Sequence, residues 1–161
     1  MFTFYHAQGY KFMITPTTLI KPISTQILFA LTLLVTTVTA QNPKAVAGAQ
    51  YHLKRGNDYA AQKQWQQAIA EYKQAQALDP QNAALYNASG LACVGLAEFP
   101  RAAWYFSAAI RLNPTYAEAY ANCGLAHLRQ GQTVHASKDF AKSQALDQQM
   151  KAYIEKALSK K

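Results

Sequence analysis

The sequence predicts an all-α fold in which three helix-turn-helix units stack side by side as a solenoid, closed by a terminal helix. Three observations predict this fold. A glycine recurs at equal intervals, as Gly56, Gly90 and Gly124, and a period of about 34 residues is typical of stacked helical hairpins. Alanine, aromatic and leucine residues recur at the same interval. Proline follows the second predicted helix in two of the three units.

Residues 1–40 have the composition of a secretory signal peptide. They contain two lysines and no acidic residue, and an apolar stretch is followed by small residues at a suitable cleavage point after Ala40. Met13 is an alternative start that would give a leader of more usual length. The segment predicts export, here to a bacterial periplasm. The competing interpretation is an uncleaved anchor over 23–40, long enough for a short membrane span, which would hold the domain on the periplasmic side.

The repeated units follow a short linker, predicted over 41–48. The units themselves are predicted over 49–82, 83–116 and 117–148. In each unit a small residue at the glycine position and another at the alanine position allow two helices to cross closely, and an aromatic residue fills the space beside the crossing. These positions are Gly56, Ala68 and Tyr72 in the first unit, Gly90, Ala102 and Phe106 in the second, and Gly124, Ala136 and Phe140 in the third.

The second helices and the end of the array are marked by separate signals. Pro80 and Pro114 are expected to end their helices, because proline lacks the N–H and disfavours helix in the residue before it. Residues 149–161 are predicted to form a capping helix, since Met150, Ile154 and neighbouring apolar residues form a stripe at helical spacing. A cap with one polar face covers the last unit of a stack, so the array is expected to end there.

The recurring residues resemble the tetratricopeptide repeat over roughly residues 49–148. The second unit carries the pattern as Tyr86, Gly90, Cys93, Ala102, Phe106, Ala109 and Pro114, and the third as Tyr120, Gly124, His127, Ala136, Phe140 and Ser143. Four residues depart from the family pattern: His52, Cys93 and His127 replace larger aromatic residues, and Gln148 replaces a proline. The resemblance implies a right-handed superhelical solenoid that binds other proteins and is not an enzyme.

The resemblance also implies a concave groove, lined by the first helices, that holds a peptide or protein segment. The groove residues that the register predicts are Leu53, Asn57, Asn87, Leu91, Val94, Asn122, Leu125 and Arg129. An asparagine can bond a peptide backbone as donor and as acceptor, and the leucines offer apolar contact. The alternative is that Asn87 and Asn122 contact only solvent or neighbouring residues.

One family function, the carboxylate clamp of cytosolic chaperone adaptors, is not predicted. The positions that match its Lys, Asn, Asn, Lys and Arg hold Leu53, Asn57, Ala88, Glu118 and Asn122. A chain-terminal carboxylate needs cations to hold it, and these positions supply none.

Two adjacent aromatic residues, Trp104 and Tyr105, depart from the repeat. The first and third units have small or charged residues at these positions, as expected for the convex face. An exposed aromatic pair would mark a contact surface for a partner. The alternative is that both rings pack against the neighbouring helix and are buried.

The two cysteines, Cys93 and Cys123, lie on the first helices of neighbouring units. An oxidising compartment would permit a disulfide between them. The alternative is a pair of small buried thiols.

No catalytic site, cofactor site or metal site is predicted. His127 replaces a core aromatic and His135 falls near a helix start, so neither is assigned to a shared ligand-bearing face, and adding a cysteine makes no recognisable metal motif. Phosphate loops and nucleophile elbows are absent from the sequence.

The predicted mature chain has a net charge of +6, from 14 Lys and Arg and 8 Asp and Glu after Ala40. Its cations are scattered, so no nucleic-acid partner is predicted.

Two functional hypotheses follow. The first is an exported adaptor that holds a protein segment in the groove. The second is a structural component of a membrane assembly, anchored by an uncleaved N-terminal helix and joined through Trp104 and Tyr105. Self-association is compatible with either.

Overall fold

The structure, a computed structural model, describes residues 43–159. The predicted signal peptide, its cleavage point and the alternative start at Met13 lie outside the described residues. Within 43–159 the chain forms helices and no strand, which confirms the predicted all-α class. The helices are α1 Pro43–Ala61, α2 Trp65–Leu78, α3 Ala83–Gly95, α4 Phe99–Leu112, α5 Ala117–Arg129, α6 Thr133–Leu146 and α7 Met150–Ser159.

The first helix begins earlier than the repeat register indicated. Residues 43–48, predicted as linker, belong to α1. Proline is favoured in the first helical turn, so Pro43 suits this start, and Ala49 is buried in a small cluster with Ala75 and Leu85. None of the helices described between residues 43 and 159 is long and apolar enough to cross a membrane.

Each unit is a hairpin of two antiparallel helices that cross at the predicted small residues. At Gly56, Gly90 and Gly124, a side chain would collide with an aromatic ring of the second helix. The rings are those of Tyr72, Phe106 and Phe140, the aromatic residues that the repeat places beside the crossing. Glycine is therefore required here by the close approach of the second helix.

The turn inside each hairpin has one geometry. One residue in each turn has a left-handed backbone, Lys63 at φ 59°, Ala97 at φ 57° and Gly131 at φ 75°. The following N–H bonds a carbonyl of the preceding helix in all three turns, as in Glu98 N to Cys93 O at 2.9 Å. This is the Schellman arrangement that commonly ends helices, and only the third turn uses glycine for it.

The hairpins stack into one array, and the last helix covers its end. α2 packs on α3, α4 packs on α5, and α7 packs on both α5 and α6. Ala68, Ala102 and Phe106 are fully buried in the shared core, and Ile154 of α7 is 4% exposed. The capping helix thus contacts the last hairpin through the apolar stripe that its sequence predicts.

Candidate functional site

A cavity of about 420 Å³ lies between α3, α5 and α7, with two phenylalanines of α4 in its wall. Most of its lining is apolar, from Leu91, Val94, Phe99, Phe106, Leu125, Ala126 and Ala157. Its polar lining is Asn122, Arg129, Tyr153 and Lys156. Concave apolar sites of this size with a few polar groups are typical binding sites.

The repeat register predicts five of the residues in this lining. Leu91, Val94, Asn122, Leu125 and Arg129 lie together on α3 and α5. Leu91 is 41% exposed and Val94 is 37% exposed, large fractions for aliphatic side chains in a small domain. These two side chains are free to contact another molecule.

Three predicted groove residues lie outside the cavity. Leu53 packs against the core clusters, and Asn57 accepts a hydrogen bond from the Tyr72 hydroxyl at 2.9 Å. Asn87 is 4% exposed. The first unit therefore adds no residue to the cavity lining, and the cap that forms the third wall packs on the third unit.

The two predicted groove asparagines bond to each other and to their neighbours. Asn122 Nδ2 donates to Asn87 Oδ1 at 3.1 Å, and Asn122 Oδ1 accepts from the Tyr153 hydroxyl at 2.7 Å. Asn87 donates to Glu118 Oε1 at 3.2 Å and to the Tyr116 hydroxyl at 3.3 Å. The prediction that these amides bond a partner backbone is wrong, since both are buried and used inside the domain. The structure instead shows the alternative interpretation, in which Asn87 and Asn122 bond to neighbouring residues of the same domain.

Charge is unevenly placed along this side of the array. Arg129 and Lys156 line the cavity, and among the described residues neither forms an ion pair. Glu118 lies at the beginning of α5, beside two tyrosines. Burial, and next the Glu118 carboxylate, raise the pKa of both Tyr116 and Tyr153. The tyrosine hydroxyls therefore stay protonated, and the cations are the charges that the cavity offers to a ligand.

Comparison with known proteins agrees with the helical geometry. A family model for the TPR repeat matches residues 56–96 and 101–131, which span the last turns of α1 through the end of α5. The array is a tetratricopeptide repeat domain. Domains of this kind are protein-interaction scaffolds.

Relatives of known structure have the same fold. The Arabidopsis OM64 TPR domain superposes with a TM-score of 0.66 at 25% identity, over 72% of this chain and 98% of that one. The first TPR of Spaghetti (RPAP3), bound to the HSP90 peptide SRMEEVD, superposes with a TM-score of 0.63 at 26% identity, over 71% of this chain and 95% of that one.

A curated relative is much longer. The DnaJ homolog subfamily C member 7 homolog of Dictyostelium discoideum is 30% identical over 98 residues, which are 58% of this chain and 18% of that protein. The aligned residues therefore span about a fifth of that relative's length.

The aromatic pair on the second repeat is split between surface and core. Trp104 is 58% exposed, whereas Tyr105 is 5% exposed. The two rings meet edge to face with centroids 5.0 Å apart. The prediction of two exposed aromatics is wrong for Tyr105, because successive helix residues point about 100° apart and Tyr105 faces the shared core.

Both cysteines of the repeat domain are buried and free, so the disulfide that the sequence permits does not form in this structure. The Cys123 thiol lies 3.9 Å from the Ser107 hydroxyl of the preceding hairpin and 3.9 Å from His127 Nδ1 of its own helix. Burial raises the pKa of Cys93. Burial, and next the Asp139 carboxylate, raise the pKa of Cys123 to about 12. Both thiols are therefore protonated at neutral pH. A protonated thiol is a poor nucleophile, and it binds a metal only after it loses its proton.

A cluster of polar side chains in the third repeat was missed by sequence reasoning. Cys123, His127 and Asp139 bring a sulfur, a nitrogen and an oxygen within 4.8 Å of one another. Contrary to the prediction, His127 shares a helix face with another metal-binding residue type, since Cys123 lies one helical turn before it on α5. The missed signal was two pairs spaced by four residues, Cys123 with His127 and His135 with Asp139.

Proposed function

We propose that the tetratricopeptide repeat domain binds a protein segment that places a bulky apolar side chain in the cavity and an acidic residue near its cations. The observation that carries this proposal is the cavity itself. It joins exposed Leu91 and Val94 to Arg129 and Lys156, and its volume of about 420 Å³ lies in the range of typical binding sites, with room for a large side chain. Apolar burial would supply affinity, and the cations would select and orient the segment.

The relatives support this class of partner. The first TPR of Spaghetti is bound to a peptide, SRMEEVD, that combines apolar and acidic residues. The present chain differs at the positions of the carboxylate clamp, where Ala88 is half-buried and Glu118 is an acid. We therefore expect recognition of an internal apolar and acidic segment, with the cations at Arg129 and Lys156, rather than capture of a chain-terminal carboxylate.

The test uses random peptides displayed on phage, selected on the purified protein. Leu91→Glu is expected to weaken the binding of selected peptides by more than about 10-fold, since it places a charge in the apolar wall. Its matched control is Leu78→Glu, because Leu78 is also 41% exposed and lies outside the cavity. Binding is measured by fluorescence anisotropy, and folding by circular dichroism.

The charge requirement is tested with the same peptides. Arg129→Ala and Lys156→Ala are expected to weaken binding less at high salt than at low salt, because screening removes the interaction that each variant deletes. If the selected peptides bind equally well to the wild type and to Leu91→Glu, the cavity is not the peptide-binding site. The peptide SRMEEVD serves as a comparison, and tight binding that needs its terminal carboxylate would refute the predicted preference.

Export to a periplasm is a further part of the proposal and rests on residues 1–40. It is checked by mass spectrometry of the protein from its native cell, where a mature N-terminus at Gln41 is expected. An intact N-terminal segment would instead favour the membrane-assembly alternative. Exposed Trp104 of α4, which lies outside the cavity lining, offers a contact for that assembly.

A further inference from the structure

The cluster in the third repeat is made from residues on both helices of one hairpin. Cys123 and His127 are one turn apart on α5, and Asp139 lies opposite on α6. His127 Nδ1 is 2.8 Å from Asp139 Oδ2 and 3.9 Å from Cys123 Sγ. Cys123 is 2% exposed, and the side chains of His127 and Asp139 are 19% and 20% exposed. The thiol is thus enclosed, whereas the imidazole and the carboxylate are partly exposed.

The chemistry of these three groups favours zinc. Thiolate, imidazole and carboxylate are the usual zinc ligands, whereas calcium and magnesium prefer oxygen alone. Bond lengths of about 2.0 to 2.3 Å in a tetrahedral site hold ligand atoms roughly 3.3 to 3.6 Å apart. The observed 2.8 and 3.9 Å lie on either side of that range. Side-chain shifts of under about 1 Å would therefore form the site.

A second histidine, which could supply a fourth ligand, lies beside the cluster. His135 lies one turn before Asp139 on α6, and its ring centroid is 5.5 Å from that of His127. Two imidazoles on one tetrahedral zinc have centres roughly 5 Å apart, given a Zn–N bond of about 2.0 Å. His135 is exposed, so its side chain can turn toward the cluster. Each helix then supplies two ligands spaced by four residues.

The other repeats show that the fold does not require these residues. The matching positions in the first repeat are Arg55, Tyr59, Gln67 and Glu71, and in the second Ser89, Cys93, Arg101 and Tyr105. In the first repeat Glu71 joins the helices through His52 at 2.8 Å and Arg55 at 3.3 Å. An ion pair alone therefore suffices to bridge a hairpin. In the third repeat the pair is His127 with Asp139. The buried thiol of Cys123 and the imidazole of His135 lie beside this pair and are not needed to form it.

We propose that Cys123, His127, His135 and Asp139 bind one zinc ion between α5 and α6. Zinc replaces the Cys123 proton, which passes to solvent, and takes its place among the other three ligands. Four protein ligands make a closed, structural site. None of the four lines the cavity, so this proposal is independent of the groove. The ion would fasten the hairpin on which α7 packs.

The test is cobalt(II) titration of the untagged full chain after treatment with a chelator and a thiol reductant. We expect one ion per chain, the visible absorption of four-coordinate cobalt, and a near-ultraviolet thiolate-to-cobalt band. Zinc should displace the cobalt and raise the melting temperature. Cys123→Ser is expected to abolish the thiolate band, and Cys93→Ser, the control with a buried thiol in the preceding repeat, to keep it.

The remaining ligands are tested by affinity. His135→Ala and Asp139→Asn are each expected to raise the zinc dissociation constant more than about 10-fold, a loss that even outer-shell changes can cause. Circular dichroism of metal-free variants checks folding, and zinc X-ray absorption of the wild type, expected to show one sulfur ligand, does not depend on any variant. The proposal is overturned by a lack of stoichiometric metal, by a thiolate band that survives Cys123→Ser or vanishes in Cys93→Ser, or by unchanged affinity in His135→Ala.

Discussion

At the residue scale, buried amides decide what the groove can and cannot offer. Asn87 and Asn122 lie on the first helices, where the family pattern places partner contacts, yet both are buried. They connect Tyr153 of the cap to Glu118 at the beginning of α5. A buried amide that lost these partners would remain unsatisfied, at about 1 to 3 kcal/mol. Their role is therefore to hold α3, α5 and α7 together and so to shape the cavity.

The amide network predicts a large effect for one isosteric change. Asn87→Asp replaces the donor to Glu118 by a buried carboxylate beside another carboxylate, so we expect a loss of about 2 to 4 kcal/mol in the free energy of unfolding. Urea denaturation measures it. The control is Asn57→Asp, since Asn57 is exposed and only accepts a hydrogen bond. If Asn87→Asp cost less than about 0.5 kcal/mol, as ordinary surface substitutions do, the network would not stabilise the fold.

At the element scale, the hairpin turns are alike in geometry and unequal in sequence. All three place one residue in the left-handed region of backbone conformation. Residues other than glycine are strained there by about 1 to 2 kcal/mol. Lys63 and Ala97 carry that strain, and Gly131 does not. The hairpins also differ in what joins their helices, because the first and third use a histidine paired with an acid and the second does not.

The turn geometry predicts that one glycine stabilises the domain. Ala97→Gly is expected to raise the free energy of unfolding by about 0.5 to 1 kcal/mol, since the relief of strain exceeds the extra entropy of the unfolded chain. Gly131→Ala, at the same place in the third turn, should lower it by about 1 kcal/mol. Thermal and urea unfolding measure both. Changes of the same sign in the two variants would contradict the assigned strain.

At the scale of the whole molecule, the capping helix couples stability to the groove. α7 covers the last hairpin through Ile154, and it supplies Tyr153, Lys156 and Ala157 to the cavity wall. In a repeat array each unit is stabilised by its contacts with the neighbouring units, so the last unit depends on the cap. Loosening the cap therefore exposes the end of the core and removes one wall of the cavity.

This coupling predicts a matched pair of results on one helix. Ile154→Ala is expected to lower the free energy of unfolding by about 2 to 4 kcal/mol and to weaken peptide binding as well. Leu158→Ala, at a side chain that is 42% exposed, should cost under about 1 kcal/mol. Leu91→Glu, on α3, should weaken peptide binding without lowering the free energy of unfolding. Urea unfolding and anisotropy report the two properties, and unchanged binding in destabilised Ile154→Ala would show that the cap does not shape the site.

The sequence by itself determined the helical hairpins, their repeat register and the cap. These follow from local spacing, because a glycine opposite an aromatic ring and an apolar stripe at helical period have the same consequence in every copy. Five of the eight predicted groove residues line the cavity for the same reason. Register along a first helix is a local property.

Only the tertiary structure decided which polar side chains remain free. Asn87 meets Glu118 from the next hairpin, and Asn122 meets Tyr153 from the cap, so partners distant in sequence consume the amides. Trp104 and Tyr105 are neighbours in sequence, yet only packing separates an exposed ring from a buried one. His127 meets Asp139 across its hairpin. The physical reason is that a side chain's partners depend on how helices approach one another, which the spacing along a single helix does not specify.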